Sequence, residues 1–273
     1  MRRWGAGAAA AAIALLASGC SAQEALSLNA PEGVTEQAPL IESLWFGAWV
    51  AVAVVGLLTG GLILYAAIRF RRKEGDGAPK QMRYNVPLEV MYTIVPLVMI
   101  MGMFYFTARD QIVLTKVSAN PDNTIGVVGF RWSWAFNYVE DDVYEVGTAE
   151  IEDIPTLYLP VNESVVFELQ SPDVIHSFWI PAFLMKMDVF PARLNKFEVT
   201  PNKVGTYAGR CAELCGVDHA RMLFTVKVVE RPEYDRRMAE LRAKGQTGAI
   251  ETDRITREGE RYWETDRYPE VTP

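Results

Sequence analysis

The sequence predicts a membrane-anchored all-β protein: a two-helix transmembrane hairpin followed by a Greek-key β-sandwich or barrel. Two observations carry that class. Two long apolar runs, at about residues 44–68 and 88–108, are separated by a basic loop at 69–87. From about residue 118 to 230 the pattern changes to short β-type runs punctuated by Pro, Gly and Asn. A third observation, a cluster of soft metal-ligating side chains inside the β-type region, bears on function.

In chain order, Met1-Arg2-Arg3 gives a basic start, an alanine and leucine run follows to Leu16, and small residues precede Cys20. Residues 1–19 are expected to be a signal peptide of lipoprotein type, with Cys20 as the lipid-modified first residue. Ala17 departs from the leucine commoner at that position, so ordinary cleavage and no cleavage stay open as alternatives. Residues 20–43 are polar, contain Pro and Glu, and are expected to be an extracytoplasmic linker. The run 44–68 holds no charged residue; at ~1.5 Å per residue it reaches roughly 37 Å, more than a ~30 Å hydrocarbon core. Arg69, Arg71, Arg72, Lys73, Lys80 and Arg83 come next and mark the cytoplasmic side. The second span contains Pro96, which a membrane helix tolerates where neighbours satisfy the freed carbonyl, and Glu89 is its only carboxylate. Both ends of the hairpin then lie outside, so the expected location is the bacterial cell membrane, multi-pass, with the N-terminus and the β-domain extracytoplasmic.

Strands are expected at 124–130, 156–159, 164–169, 196–200, 205–210 and 223–229. Trp132, Trp134, Phe136 and Tyr138 alternate as on a strand, a pattern whose ordinary meaning is core or interface packing. Glu140, Asp141, Asp142 and Glu145 read either as a solvated loop or as a docking patch for a basic partner. Residues 231–273 mix acidic and basic side chains with few aliphatics; a helix is expected near 234–243, with the remainder lying over a partner or loose. The net charge of −7 and the lack of a basic patch outside residues 69–83 argue against nucleic acid.

The chemistry concentrates in Cys211-x3-Cys215-x3-His219-x2-Met222. Two thiols, an imidazole and a thioether are soft donors that suit copper rather than magnesium or calcium. The chain has two histidines, so a fold that brought His176 to this loop would employ both. A mononuclear blue-copper site needs two His, one Cys and a weak Met; one thiolate more points to a second copper. A disulfide between Cys211 and Cys215 and a structural zinc are the other readings of the spacing. Neither gives Met222 a role.

This loop, together with residues 173–178, 191–195 and Arg131-Trp132-Ser133-Trp134, closely resembles subunit II of the haem-copper cytochrome c oxidases over roughly residues 40–230. The resemblance implies a cupredoxin domain. By matching positions it implies that His176, Cys211, Cys215, His219 and Met222 are side-chain ligands of a dinuclear copper A centre. Glu213 would give its backbone carbonyl to one copper and its carboxylate to a magnesium or manganese ion at the contact with subunit I. Trp132 matches the point where electrons arrive, and Glu89 the glutamate at the mouth of a proton pathway. The implied function is subunit II of a proton-pumping oxidase, taking electrons from a cytochrome c that is soluble, membrane-bound or part of a respiratory supercomplex, and passing them to haem in subunit I, where oxygen is reduced to water. No Cys-x-x-Cys-His occurs, so no c-type haem is attached to this chain. A copper A subunit of a nitric oxide reductase and a membrane-tethered copper carrier are the alternatives.

Overall fold

Each predicted span becomes one helix, and each helix is longer than its predicted run. In this computed structural model α1 covers Ala38–Arg69 and α2 covers Val86–Leu114. The described residues are 27, 30–72, 75, 77–78, 81–148 and 153–250. The expected signal segment, Cys20, Lys73, Lys80 and the chain past residue 250 lie outside them. The chain divides into Met1–Glu32 and Gly33–Pro273. In the first unit the described residues include a turn in which Ala30 N–H donates to Ser27 O at 3.1 Å.

In the second unit both helices are long and apolar enough to cross a membrane. Helix α1 begins with a proline in its first turn, where no N–H is missed. Helix α2 begins at a reciprocal cap: Asn85 Oδ1 accepts from Leu88 N–H at 3.3 Å, and Glu89 Oε1 accepts from Asn85 N–H at 3.0 Å. It continues six residues past the predicted end at 108, because Asp110 is not left as an isolated charge. Arg109 Nε and a guanidinium NH2 donate to Asp110 Oδ1 at 2.8 and 2.7 Å. Asp110, at 2% exposure, is therefore a second carboxylate of this helix beside Glu89.

The last residues before α1 are hydrogen-bonded to the β-domain. Val34 N–H donates to Ala182 O, Asn202 N–H to Val34 O and Glu36 N–H to Thr200 O, all at 3.0 Å. Gln37 Oε1 accepts from Thr200 N–H, also at 3.0 Å. Paired backbone groups of this kind fasten the start of α1 to the β-domain.

That domain is the expected β-sandwich. Its strands are β1 (Asn123–Phe130), β2 (Ser133–Tyr138), β3 (Val143–Val146), β4 (Thr156–Pro160), β5 (Val165–Gln170), β6 (His176–Ile180), β7 (Met185–Val189), β8 (Asn195–Val199), β9 (Gly205–Cys211) and β10 (Leu223–Val229). One sheet runs β3-β2-β1-β5-β8 and the other β4-β10-β9-β6-β7. Most neighbours are antiparallel; β1 with β5 and β4 with β10 are parallel, each joined through a crossover. Between the sheets the rings of Trp134, Phe136, Phe167, Phe178, Phe197 and Phe224 interlock, with Phe178 stacked on Phe224 at 5.0 Å between centroids.

Three strands were not anticipated. β3 lies in the acidic segment, where charge hides the pattern. β6 and β7 carry the functional sequence His176–Ile180 and the mixed Met185–Val189. Strand β2 also departs from simple alternation. Ser133, Trp134, Ala135 and Phe136 are all buried, because its outer face is covered too: Ile250 packs with Val128, Ala135 and Tyr144.

The cover comes from the C-terminal segment, in which a helix near 234–243 is expected and the remainder is expected to lie on a partner or stay loose. Through residue 250 it lies on its own domain. Helix α3 (Arg231–Ala243) buries Tyr234, Met238 and Leu241, a stripe at helical spacing. Beyond it Gln246 O accepts from Tyr144 N–H at 3.1 Å and Ile250 N–H donates to Asn137 Oδ1 at 2.9 Å, so the free edge of β3 is covered.

This packing revises part of the acidic cluster. Glu145 is 8% exposed; its Oε2 accepts from Arg237 at 2.8 Å and its Oε1 from Thr156 N–H at 3.0 Å. Asp141 accepts the Tyr234 hydroxyl at 3.0 Å, and Glu140 accepts Thr124 N–H at 2.8 Å. Glu145 is therefore an internal tie for α3 and no part of a solvated loop. Removing one partner of a buried ion pair leaves the other charge uncompensated. Glu145→Ala is accordingly expected to destabilise the chain by on the order of 3 kcal/mol. The double change Glu145→Leu with Arg237→Met should recover most of the loss; thermal melting of the three proteins decides, and an unchanged melting temperature in the single variant would return Glu145 to the solvent.

Candidate metal centre

The site is built at one end of the sandwich by a loop between two paired strands. β9 and β10 are antiparallel with Arg210 opposite Leu223, and Cys211 N–H donates to Met222 O at 3.0 Å. The residues between them must turn back within this clamp, which places Cys211 and Met222 side by side and folds Cys215 and His219 over them. His176 reaches the same place from β6, whose Phe178 is opposite Cys211. Ala212 N–H donates to Ser177 O at 3.0 Å and continues that pairing into the loop.

The donor atoms converge. Cys211 Sγ and Cys215 Sγ are 3.9 Å apart, far outside the ~2.05 Å of a disulfide, and both cysteines are free. His176 Nδ1 lies 4.0 Å from Cys211 Sγ, and His219 Nδ1 lies 3.5 Å from Cys215 Sγ. Met222 Sδ lies 3.7 Å from Cys215 Sγ. The Glu213 carbonyl oxygen lies 3.2 Å from Cys211 Sγ. His176, Cys211 and Cys215 form a buried group whose ligand atoms fall within 4.8 Å of one another, and they can hold a metal ion. Their softness fits copper, and a thioether beside them is a donor that copper uses and zinc does not.

The electrostatics favour a cation. Cys211 is drawn well below an ordinary thiol, first by the hydrogen bond with Cys215 and, against the cost of burial, by His176 and neighbouring backbone groups. Cys215 is pushed up by the same pairing and by burial. One negative charge is accommodated by the protein alone, and the second thiolate needs a positive ion between the two.

Around this group stands a shell of held side chains. Trp132, in the turn between β1 and β2, is 2% exposed, and its indole N–H donates to Cys215 O at 3.2 Å. Trp134 packs with its ring centroid 6.2 Å from that of His176, and its indole N–H points to Met222 O at 3.4 Å. Asp173 Oδ1 stands 2.8 Å from His176 Nε2. Gly216 has φ +134° and presses on Trp132: a Cβ there would sit 2.8 Å from Cζ2 and 2.9 Å from Nε1 of the indole.

The structure thus gathers His176, Cys211, Cys215, His219, Met222, the Glu213 carbonyl and Trp132 in one place. Glu89 is elsewhere. It sits in the first turn of α2 with 25 residues of helix before Leu114, about 37 Å at 1.5 Å per residue. Asp173 and Gly216 were given no individual role in the sequence reading. A carboxylate three residues before a ligating histidine and a glycine just after a cysteine ligand were the available signals.

Known proteins give the family. The family model described as cytochrome c oxidase subunit II, periplasmic domain, matches residues 123–229. A probable cytochrome c oxidase subunit 2 of Streptomyces avermitilis is 45% identical over 271 residues, covering 86% of this chain and 85% of that protein. The chain belongs to the cytochrome c oxidase subunit II family. The cytochrome c oxidase subunit 2 of Mycobacterium tuberculosis is 32% identical over 297 residues, covering 87% and 81% of the two chains. The crystal structure of the periplasmic domain of subunit II of the Bradyrhizobium japonicum cytochrome oxidase is 30% identical, covers 47% of this chain and 99% of that one, and superposes with a TM-score of 0.45. As a subunit II, the chain is a membrane protein and one component of an oxidoreductase complex, associated with the other oxidase subunits.

The fit of Gly216 against Trp132 makes a test of the site's tightness. Gly216→Ala is expected to cost on the order of 2 kcal/mol, from backbone strain and displacement of the indole. The displaced ring should add a fraction of tryptophan emission that iodide quenches; wild-type melting with wild-type quenching would mean the loop has room to spare.

Proposed function

We propose that this chain carries a dinuclear copper A centre, receives single electrons from a cytochrome c, and passes them to haem in subunit I of a proton-pumping oxidase that reduces oxygen to water. The observation that carries the reading is the pair of thiols at 3.9 Å with an imidazole nitrogen beside each. Such a set divides evenly into two positions. Cys211 and Cys215 would bridge, His176 Nδ1 would complete one position and His219 Nδ1 the other, and Met222 Sδ and the Glu213 carbonyl would serve as the weak donors. When bound there, the copper pair supplies one-electron exchange with the odd electron shared over both ions.

The protein's own residues do the rest. The strand pair fixes the donors before metal arrives, so little rearranges on a change of charge. Trp132 joins the surface turn to the Cys215 carbonyl through one hydrogen bond and is placed to receive the electron. The exposed Glu213 carboxylate is available to a magnesium or manganese ion at the contact with subunit I. The basic residues between the helices put that loop in the cytoplasm and the β-domain outside. Residues 1–19 then act as the exporting signal and Cys20 as the lipidated residue. Glu89, at the cytoplasmic end of α2, would help load protons.

Two measurements test this. Elemental analysis and electron paramagnetic resonance of the oxidised chain should give two coppers and a hyperfine pattern from two equivalent nuclei, and Cys215→Ser should abolish or convert that pattern. One copper per chain, or coupling to a single nucleus, defeats the proposal. For the proton role Glu89→Gln is the informative change, because the amide oxygen still accepts Asn85 N–H and the helix cap survives. The assembled oxidase should then take electrons into copper at the normal rate while steady turnover falls roughly tenfold or more. Unchanged turnover across the working pH range would leave Glu89 as a helix cap only.

A further inference from the structure

We infer that Asp173 is the positioning residue of this centre: one carboxylate fixes the ring of His176 and the seat of Trp132 together. The inference rests on the copper reading above and extends it to a group outside the ligand set.

Asp173 has two oxygens with different work. Oδ1 stands 2.8 Å from His176 Nε2 and also accepts from Val174 N–H at 2.6 Å and Ser171 Oγ at 3.1 Å. Oδ2 accepts from Arg131 N–H at 2.8 Å and lies 3.4 Å from Arg131 Nε. The side chain is 11% exposed and His176 is 0% exposed, so solvent offers His176 no substitute partner. A carboxylate facing Nε2 requires the proton on that nitrogen, which leaves the Nδ1 lone pair directed at the thiols. Gly129 backs the arrangement: a Cβ there would lie 3.0 Å from the Trp134 ring and 3.4 Å from His176 Cβ, so a side chain at that position would press on Trp134 and touch the imidazole.

The second oxygen reaches the other side of the site. Arg131 is the residue before Trp132, and the Trp132 indole is bonded in turn to Cys215 O. The contacts close into a ring: Cys215 to Trp132, along the backbone to Arg131, to Asp173, to His176, to Cys211, and back to Cys215 across the two sulfurs. A single anion therefore orients a donor on one side of the metal position and anchors the tryptophan on the other. Placed against His176, it also increases the electron donation of the imidazole, which favours the more positive, oxidised metal pair.

The test uses the full chain in the assembled oxidase, with wild type, Asp173→Asn and Asp173→Ala. Wild type settles the copper reading by itself through its copper content and resonance spectrum. Given a wild-type copper pair, Asp173→Ala should lose copper to a chelator about 10- to 100-fold more readily. Asp173→Asn keeps an oxygen for His176 Nε2–H but carries no charge. It should retain more copper than Asp173→Ala, with a raised reduction potential and altered hyperfine couplings. If the alanine variant does not accumulate, the asparagine variant decides alone. Wild-type potential and couplings in Asp173→Asn, or wild-type copper retention in Asp173→Ala, overturn the inference while leaving the copper reading untouched.

Discussion

The pairing of β9 with β10 is the constraint on which the rest of the site depends. Cys211 N–H to Met222 O at 3.0 Å closes a loop whose two ends are themselves donors. A slip of one residue in that register would turn Cys211 to the opposite face of the sheet and separate it from Met222. Register here is secured by the core. Phe224 and Val226 point inward from β10, and Gly209, opposite Phe224, has no side chain because a Cβ would lie 2.1 Å from the Phe224 ring. The aromatic interior and the ligand geometry are thus one packing problem. His176 is added by the same logic, since β6 is hydrogen-bonded to β9 and delivers its first residue beside Cys211.

Burying two thiols beside each other creates an electrostatic demand that the fold only half meets. Hydrogen bonds from Cys215, His176 and backbone groups support a thiolate at Cys211, and that charge in turn opposes ionisation of Cys215. The apolar wall of Trp132, Trp134 and Phe178 offers no further compensation. Such a pocket is tuned for cations: bound metal removes the repulsion and converts the most costly feature of the empty loop into its strongest interaction. Asp173 adds one more anion at the rim. Burial opposes its charge, but hydrogen bonds from His176, Val174 N–H and Arg131 N–H outweigh it and hold its carboxyl at about 2.

What the sequence disclosed follows from how local each signal is. The two spans were legible from apolar length, and their extra turns were not, because caps such as Asn85 with Glu89 and pairs such as Arg109 with Asp110 reconcile polar residues with a helix. Strands β1, β4, β5, β8, β9 and β10 were legible from β-branched runs between turn residues, within a residue or so at their ends. β3 was hidden by the acidic residues around it, whose partners Tyr234 and Arg237 lie more than 90 residues away. The convergence of Cys211, Cys215, His219 and Met222 was legible from spacing, since one loop carries them, whereas His176 comes to them from β6. The support given by Asp173, Gly129 and Gly216 was not, because a positioning contact is defined by geometry between segments, and a glycine does not announce what presses on it.

The architecture also limits how its two ends can communicate. Glu89 opens α2, and the β-domain follows only after Leu114, so the helix alone carries the chain about 37 Å from Glu89 before the β-domain begins. At physiological ionic strength exposed charges are screened over about 8 Å. Even within the low-dielectric membrane, Coulomb energy falls with distance, so a proton at Glu89 exerts little direct effect on donors at the far end of the domain. The clip at residues 34–37 fastens the β-domain to the start of α1, and α3 seats on the β-domain. Under the proposed function, electron arrival at the metal loop and proton uptake near Glu89 would therefore be coupled through the neighbouring oxidase subunits. In the proposed orientation the chain's contribution would be positional: a metal loop on one side of the membrane and a helix start on the other.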